Sequence, residues 1–197
     1  LIVSNESIID DSLLYEEVIV VTDAIMKKIS GVVSPEGIIA ELELPENRPF
    51  SSVKKIVVAD GIQDPGNLGT IIRSLCAFGW DGLFLLPGCA DPYNDKTLRA
   101  AKGATFHLPI FSGSWDELAT ICKQNHLELV VADIKGQKPE YFEDKPIALV
   151  LGNEAQGANV PKTLSHQSVS LPMVGQMESL NVAVAGSILL YLYQEGK

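Results

Sequence analysis

Five polar residues stand where apolar elements break into loops or open helices: Asn67, Arg73, Glu154, Ser179 and Asn181. Arg73 follows Asn67 by six residues and falls off the face formed by Leu68, Ile71, Ile72 and Leu75. A guanidinium so placed can grip a phosphate or carboxylate with its planar fork. A capping asparagine and a solvated arginine fit the same spacing. Glu154 lies just past the apolar run Ile147–Leu151, inside the glycine-bounded loop Gly152-Asn153-Glu154-Ala155-Gln156-Gly157. It reads equally as a site carboxylate or as an N-cap acid for a helix near Ala158. Ser179 and Asn181 open the last helix, where a serine cap is the ordinary assignment. Asn181 sits among apolar residues, and a buried amide there must find partners.

Other chemistries lack their parts. The chain has no GxxxxGK[ST] loop, no GxGxxG and no GxSxG elbow. His107, His126 and His166 are far apart and without ligand spacing, so no metal is expected.

The elements that must position these residues alternate between strand and helix from Lys54 onward, which implies a mostly parallel sheet with helices on both faces. Lys55–Ala59 reads as a buried strand and Asp64-Pro65-Gly66 as a turn. Leu68, Ile71, Ile72 and Leu75 mark a helix face. Leu83–Leu86 is the next strand. Lys96, Arg99 and Lys102 then share one face of a helix spanning Asp95–Lys102. Ser114–Asn125 is a helix with a capping-box spacing from Ser114 to Glu117. Leu127–Ala132 and Val169–Leu171 read as strands, and Val182–Tyr193 as an apolar helix. Both Leu151 and Leu171 run into loops of glycine, small and amide residues, and such loops at strand ends expose backbone groups to a ligand.

Residues 1–50 form a separate, partial α+β piece with a linker, and residues 51–197 the main domain. In the first piece Val18–Val21 is a β-branched run and Thr22–Ile29 a capped helix. Ser34-Pro35-Glu36-Gly37 is a turn, Ile38–Leu44 a strand edge, and Pro45–Pro49 the linker.

The 46% hydrophobic and 20% charged content suits a globular core. No apolar run reaches the ~20 residues that span a bilayer, so no membrane partner is expected. Three cysteines without CxxC spacing point to reduced thiols inside a cell, cytoplasmic or organellar. The sequence opens at Leu1 rather than methionine, which leaves room for an upstream targeting segment. The net charge of −10 opposes a nucleic-acid partner, but residues 1–50 carry −7 of it. A nucleic-acid surface would have to be a local patch.

Asp60–Ser74, Leu149–Gly157 and Leu171–Ala185, in that order, resemble the three motifs of the SpoU/TrmH-type RNA 2′-O-ribose methyltransferases. The resemblance covers roughly residues 54–195. It implies an α/β fold whose C-terminal segment threads a loop to make a trefoil knot, which no pattern in the residues themselves suggests. It implies S-adenosylmethionine as methyl donor, structured rRNA or tRNA as substrate, and a homodimer with the site at its interface. Carried over by motif position, Asn67, Arg73, Glu154 and Asn181 are the catalytic candidates. Ala132, Gly152, Leu171, Met173, Ser179 and Leu180 are the cofactor candidates. Lys96, Arg99 and Lys102 would form the RNA patch, or else a solvated helix face. The family often carries serine where this chain has Ala183. The first piece resembles the second half of the family's small RNA-binding domain, and is acidic. A general-base role for the arginine sits uneasily with a pKa above ~12, so holding a phosphate and polarising the hydroxyl is the easier chemistry. Two rivals remain at this point: a catalytically inactive RNA-binding or ribosome-assembly protein of the same fold, and a Rossmann-like nucleotide enzyme, for which Gly66-Asn67-Leu68-Gly69 lacks the glycine spacing.

Overall fold

The computed structural model describes the chain except Asp11, Leu13, residues 46–49, Ser51, residues 140–144 and residues 195–197. It divides into two compact units, Leu1–Pro45 and Glu46–Lys197. The expected linker past Pro45 lies outside the described residues.

In the first unit β1 (Ile2–Val3) pairs in parallel with β2 (Ile19–Val20) and antiparallel with β3 (Ile38–Ile39). Between β2 and β3 lies α1 (Asp23–Ser30), capped by the Thr22 hydroxyl and stopped by left-handed Gly31. The strand expected over Ile38–Leu44 is only these two residues long, since β1 supplies no more partners.

The second unit holds β4 (Lys55–Asp60), α2 (Pro65–Ala77), β5 (Gly82–Leu85), α3 (Asp95–Ala101), β6 (Ile110–Ser112) and α4 (Trp115–Asn125). β7 (Glu128–Gln137), β8 (Ile147–Gly152), β9 (Gln167–Val169) and α5 (Val182–Leu192) complete it. Six strands pair in parallel in the order β6-β5-β4-β8-β7-β9. The central strands are apolar on both faces and feed two cores. Val57, Ala59, Leu149 and Leu151 face α2 and α5, while Ile56, Val58, Ala148 and Val150 face Leu118 of α4. Helices therefore cover both faces, as the alternation required. No helix among the described residues is long and apolar enough to cross a membrane.

Local chemistry sets the helix starts. In α4 both halves of the Ser114/Glu117 capping box form. Asp64-Pro65-Gly66, expected as a turn, is instead the entry of α2. Asp64 caps it and Pro65, with its φ already helical, occupies the first turn. Leu68, Ile71, Ile72 and Leu75 are completely buried, as their spacing required. α3 ends one residue before Lys102, which takes the left-handed cap position (φ 52°) ahead of Gly103 (φ 86°). Lys102 thus lies beyond the helix whose face it was expected to share.

β7 runs past its expected end at Ala132 to Gln137. Val169 registers with Ala132 and again with Gln137, and the Ser170 N–H donates to the Gln137 carbonyl at 2.7 Å. Gly136 makes the fold-over possible, because any side chain there would strike the Ser168–Val169 backbone. β9 in turn stops at Val169 rather than Leu171.

Candidate active site

Asp60 at the end of β4 stands in register with Gly152 at the end of β8, so the two loops that follow leave the sheet side by side. Their residues cross-link them. Asn153 Nδ2 donates to the Gly61 carbonyl at 3.0 Å, and the Asn159 N–H donates to Asp60 Oδ2 at 2.6 Å. From the first loop, Asp64 caps α2 by accepting the Asn67 N–H at 2.8 Å. Asn67 therefore sits inside the first turn and is not the cap, so its carboxamide is free to point outward.

That carboxamide joins three elements. Asn67 Nδ2 donates to Glu154 Oε1 at 2.6 Å, and Asn67 Oδ1 accepts from Asn181 Nδ2 at 2.9 Å. Asn181 Oδ1 accepts the N–H groups of Ala183 and Val184, so Asn181 rather than Ser179 caps α5. Every donor and acceptor in this chain has one consistent orientation, because carboxylate oxygens only accept and backbone N–H groups only donate. Asn181 was expected to be a buried amide, but it is exposed and satisfied by its cap. Glu154 was offered a helix near Ala158, but the residues after it form a turn closed by Gly157 N–H to the Asn153 carbonyl at 2.8 Å. The first turn of α2 and the N-terminus of α5 thus meet the β8 loop at one point. Farther along, Ser74 Oγ and Ser187 Oγ, 2.7 Å apart, tie the same two helices together.

Arg73 does not join this chain. It is exposed, about 9 Å farther along α2 at 1.5 Å per residue, and its side chain makes no hydrogen bond or ion pair with a described residue. Its fork is available.

The cofactor candidates differ in their surroundings. Ala132 and Leu171 are half-buried against the core, and Ala132 registers with Val169. Met173, Ser179 and Leu180 lie on an exposed stretch. From Pro172 to Leu180 no residue forms a hydrogen bond with another described residue, so the backbone donors and acceptors there are available to a ligand. The Cα of Gly152 behaves differently from expectation. A side chain there would strike the backbone of Gly157 and Ala158, so its missing Cβ accommodates the returning loop rather than opening space for a ligand. Among the described residues no group of three or more His, Cys, Asp or Glu is placed to hold a metal.

Two of the basic candidates are engaged locally. Lys96 Nζ pairs with Asp64 Oδ2 at 3.0 Å, and Arg99 pairs with Asp95 at 2.6 Å. Lys102 has no ion-pair partner among the described residues. The bond from the Asn67 N–H, and after it the Lys96 ammonium, hold the Asp64 carboxyl below the ordinary aspartate range. Arg99 does the same for Asp95.

The residues not singled out from sequence are those that hold the frame: Asp60, Asp64, Asn153 and Ser187. Asn153 carried a visible signal, since an asparagine opening a glycine-bounded loop is an Asx-turn former. Ser187 carried none.

Residues 54–191 match the sequence profile of the SpoU rRNA Methylase family. The 23S rRNA (guanosine(2553)-2′-O)-methyltransferase RlmP of Bacillus subtilis is 37% identical over 163 residues, covering 80% of this chain and 64% of its own. The chain spans less than two thirds of the length of such curated relatives. The crystal structure of the SpoU methyltransferase AviRb from Streptomyces viridochromogenes superposes with a TM-score of 0.79 at 30% identity, covering 90% of this chain and 72% of AviRb. AviRb in complex with the cofactor AdoMet gives 0.69 at 33% identity, covering 76% and 64%. Motif order, the parallel sheet and the profile match over most of its length agree, and this chain belongs to the SpoU rRNA methylase family.

Proposed function

We propose that this chain transfers a methyl group from S-adenosylmethionine to a ribose 2′-hydroxyl of rRNA or tRNA. The observation that carries this reading is the Glu154–Asn67–Asn181 chain, which converges the three family motifs on one point beside the ends of β4 and β8. S-adenosylmethionine, when bound, supplies an electrophilic methyl group. Backbone groups of Pro172–Leu180, bordered by Ala132, Gly152 and Leu171, would hold it. Glu154, Asn67 and Asn181 form a fixed polar frame, already oriented before substrate arrives. Arg73 grips an RNA phosphate and polarises the target hydroxyl, with Lys102 and the helix before it as the nearby RNA surface.

A homodimer belongs to the same reading. Val184, Ile188 and Tyr191 form an exposed apolar stripe on α5, and Tyr191 meets Phe78 edge-on at 5.8 Å. A second copy seated there would bring Arg73 to its partner's pocket. The trefoil knot belongs to the same reading, since the family match covers the C-terminal segment that would thread it.

The test incubates the purified protein with methyl-labelled S-adenosylmethionine and rRNA or tRNA, followed by nucleoside analysis. A 2′-O-methylated nucleoside is expected. RNA binding without methyl transfer would select the inactive, assembly-type reading instead, and absence of cofactor binding would overturn the enzyme reading, which alone requires the methyl donor.

A further inference from the structure

We infer that Asn153 is the positioning residue that delivers Glu154 to Asn67. Glu154 is exposed on a five-residue turn, and an exposed carboxylate on a loose turn spreads over many rotamers. Its bond to Asn67, at 2.6 Å and across 87 residues, needs both loops to be held. Asn153 holds them with one side chain. Its Oδ1 accepts the N–H groups of Ala155 (2.9 Å) and Gln156 (3.2 Å), which shapes the turn around Glu154. Its Nδ2 donates to the Gly61 carbonyl (3.0 Å), on the loop that leads into α2 and Asn67. Gly61 occupies the left-handed region (φ 68°), which turns that loop toward Asn153.

The bonding capacity of the amide is largely spent on the frame. Both lone pairs of Oδ1 are taken by backbone N–H groups, and the half-buried Nδ2 has committed one proton to Gly61. Asn153 has no acceptor left for a substrate. It acts through Glu154.

Aspartate at this position isolates the cross-link. Asn153→Asp keeps an oxygen for Ala155 and Gln156, and aspartate forms the same turn as asparagine. Against the Gly61 carbonyl, however, it sets oxygen against oxygen. A residue that merely shapes the turn would tolerate the change. A residue that ties the two loops would not.

The activity arm rests on the methyl-transfer reading above, and a second arm does not. Turnover of Asn153→Asp is expected to fall at least ~10-fold with cofactor affinity within about twofold, because the cofactor stretch is untouched. In a Glu154→Gln background the same change should have no further effect on turnover, because the two residues act as a unit. The ligand-free arm follows the Asn67 side-chain amide by NMR in selectively labelled protein. Its shift should move in Asn153→Asp in the direction it moves in Glu154→Gln. Unchanged Asn67 resonances together with unchanged turnover would overturn the proposal, as would full additivity with Glu154→Gln. If the wild-type chain transfers no methyl group, the functional reading fails and the NMR arm alone decides on Asn153. Should Asn153→Asp not fold, Asn153→Ser replaces it, since its hydroxyl still accepts within the turn but is too short to reach Gly61.

Discussion

Asn67 and Glu154 are 87 positions apart, yet Asn67 Nδ2 lies 2.6 Å from Glu154 Oε1, the length of a charge-assisted hydrogen bond. Asn67→Asp turns this bond into a clash of two carboxylates, one of which must take up a proton. The helix itself tolerates the change. Aspartate in a first turn is favoured by the helix dipole by about 0.3–1 kcal/mol. Methyl transfer by Asn67→Asp should therefore fall at least ~100-fold, or ~2.7 kcal/mol, while the melting temperature is maintained. Turnover within twofold of wild type would remove the pair from the mechanism.

Two helix glycines make opposite predictions for one substitution. A Cβ on Gly69 would strike the Thr97 carbonyl and come within 2.6 Å of Ala100 Cβ, both on α3. One on Gly186 would meet only a methyl of Leu151, at 2.7 Å. Alanine gains about 1 kcal/mol in helix propensity at either place. Overpacking costs about 1–3 kcal/mol where the neighbour is backbone, and a side-chain methyl yields more easily. Gly69→Ala should lower the melting temperature by several degrees and Gly186→Ala should leave it within about 2 °C, at about 2–4 °C per kcal/mol for a domain of this size. Calorimetry of the two variants checks this.

Where the signal was local, the sequence was readable. Leu68, Ile71, Ile72 and Leu75 recur at helical spacing and are all buried. Ser114 and Glu117 form the box their spacing announced. The apolar runs of β4 and β8 became the central strands. Where the deciding partner was distant, the sequence was silent. β7 continues to Gln137 because Gly136 lies on the Ser168–Val169 backbone, and neither end of that contact marks the other. Ile2 and Val3 became a strand only through β2 and β3, whose Ile19 and Ile39 flank Ile2 and whose Val20 and Ile38 flank Val3. The motifs placed Asn67, Glu154 and Asn181 individually, but nothing in them says that one amide bonds to both of the others. Lys102 was misplaced although Gly103 beside it was a legible stop signal.

Stability should fall at both ends of the pH scale for identifiable reasons. Asp64, Asp95 and Glu117 have carboxyls held below their ordinary values, Asp64 first by the Asn67 N–H, Asp95 by Arg99 and Glu117 by the Ser114 N–H. A depressed folded pKa contributes stability that is present above the unfolded value, near pH 4, and is lost as pH falls through the folded one. Burial pushes the Cys122 thiol up to about 11. Its contribution is complete below the unfolded value of about 8.5 and disappears as pH rises toward 11. Chemical denaturation across pH should show both shoulders. Cys122→Ser, whose hydroxyl does not titrate there, should shrink the alkaline one without abolishing it, because burial also raises the Cys76 and Cys89 thiols.

The three basic candidates should differ in their effect on RNA binding. Lys96 and Arg99 already neutralise Asp64 and Asp95, whereas Lys102 has no such partner. Lys102→Asn keeps the left-handed cap comfortable, since asparagine tolerates positive φ. It should lower the slope of log affinity against log salt by about 1. Lys96→Ala and Arg99→Ala should change the slope less, because each also frees a carboxylate. Equal slopes for Lys102→Asn and wild type would place the RNA surface elsewhere.

Arg73 is the sharpest case, because its geometry is that of an ordinary exposed residue and only its proposed role sets it apart. Arg73→Lys keeps the charge and loses the two-pronged donor. An exposed residue with no partner should change stability by no more than ~0.5 kcal/mol, so folding is not at issue. If Arg73 grips a phosphate and polarises the ribose hydroxyl, turnover should fall at least ~100-fold with cofactor affinity nearly unchanged. The proposed homodimer adds a second signature. Gly152→Val, an obvious choice for disabling the partner's pocket, is unsuitable because its side chain would displace the Gly157–Ala158 backbone. Asn67→Asp is the better choice. If the arginine of one subunit serves the pocket of the other, mixing Arg73→Lys with Asn67→Asp should restore activity, because one composite site then has both parts intact. No recovery in mixed dimers would place Arg73 in its own subunit's site, and full activity of the Arg73→Lys homodimer would exclude it from the reaction.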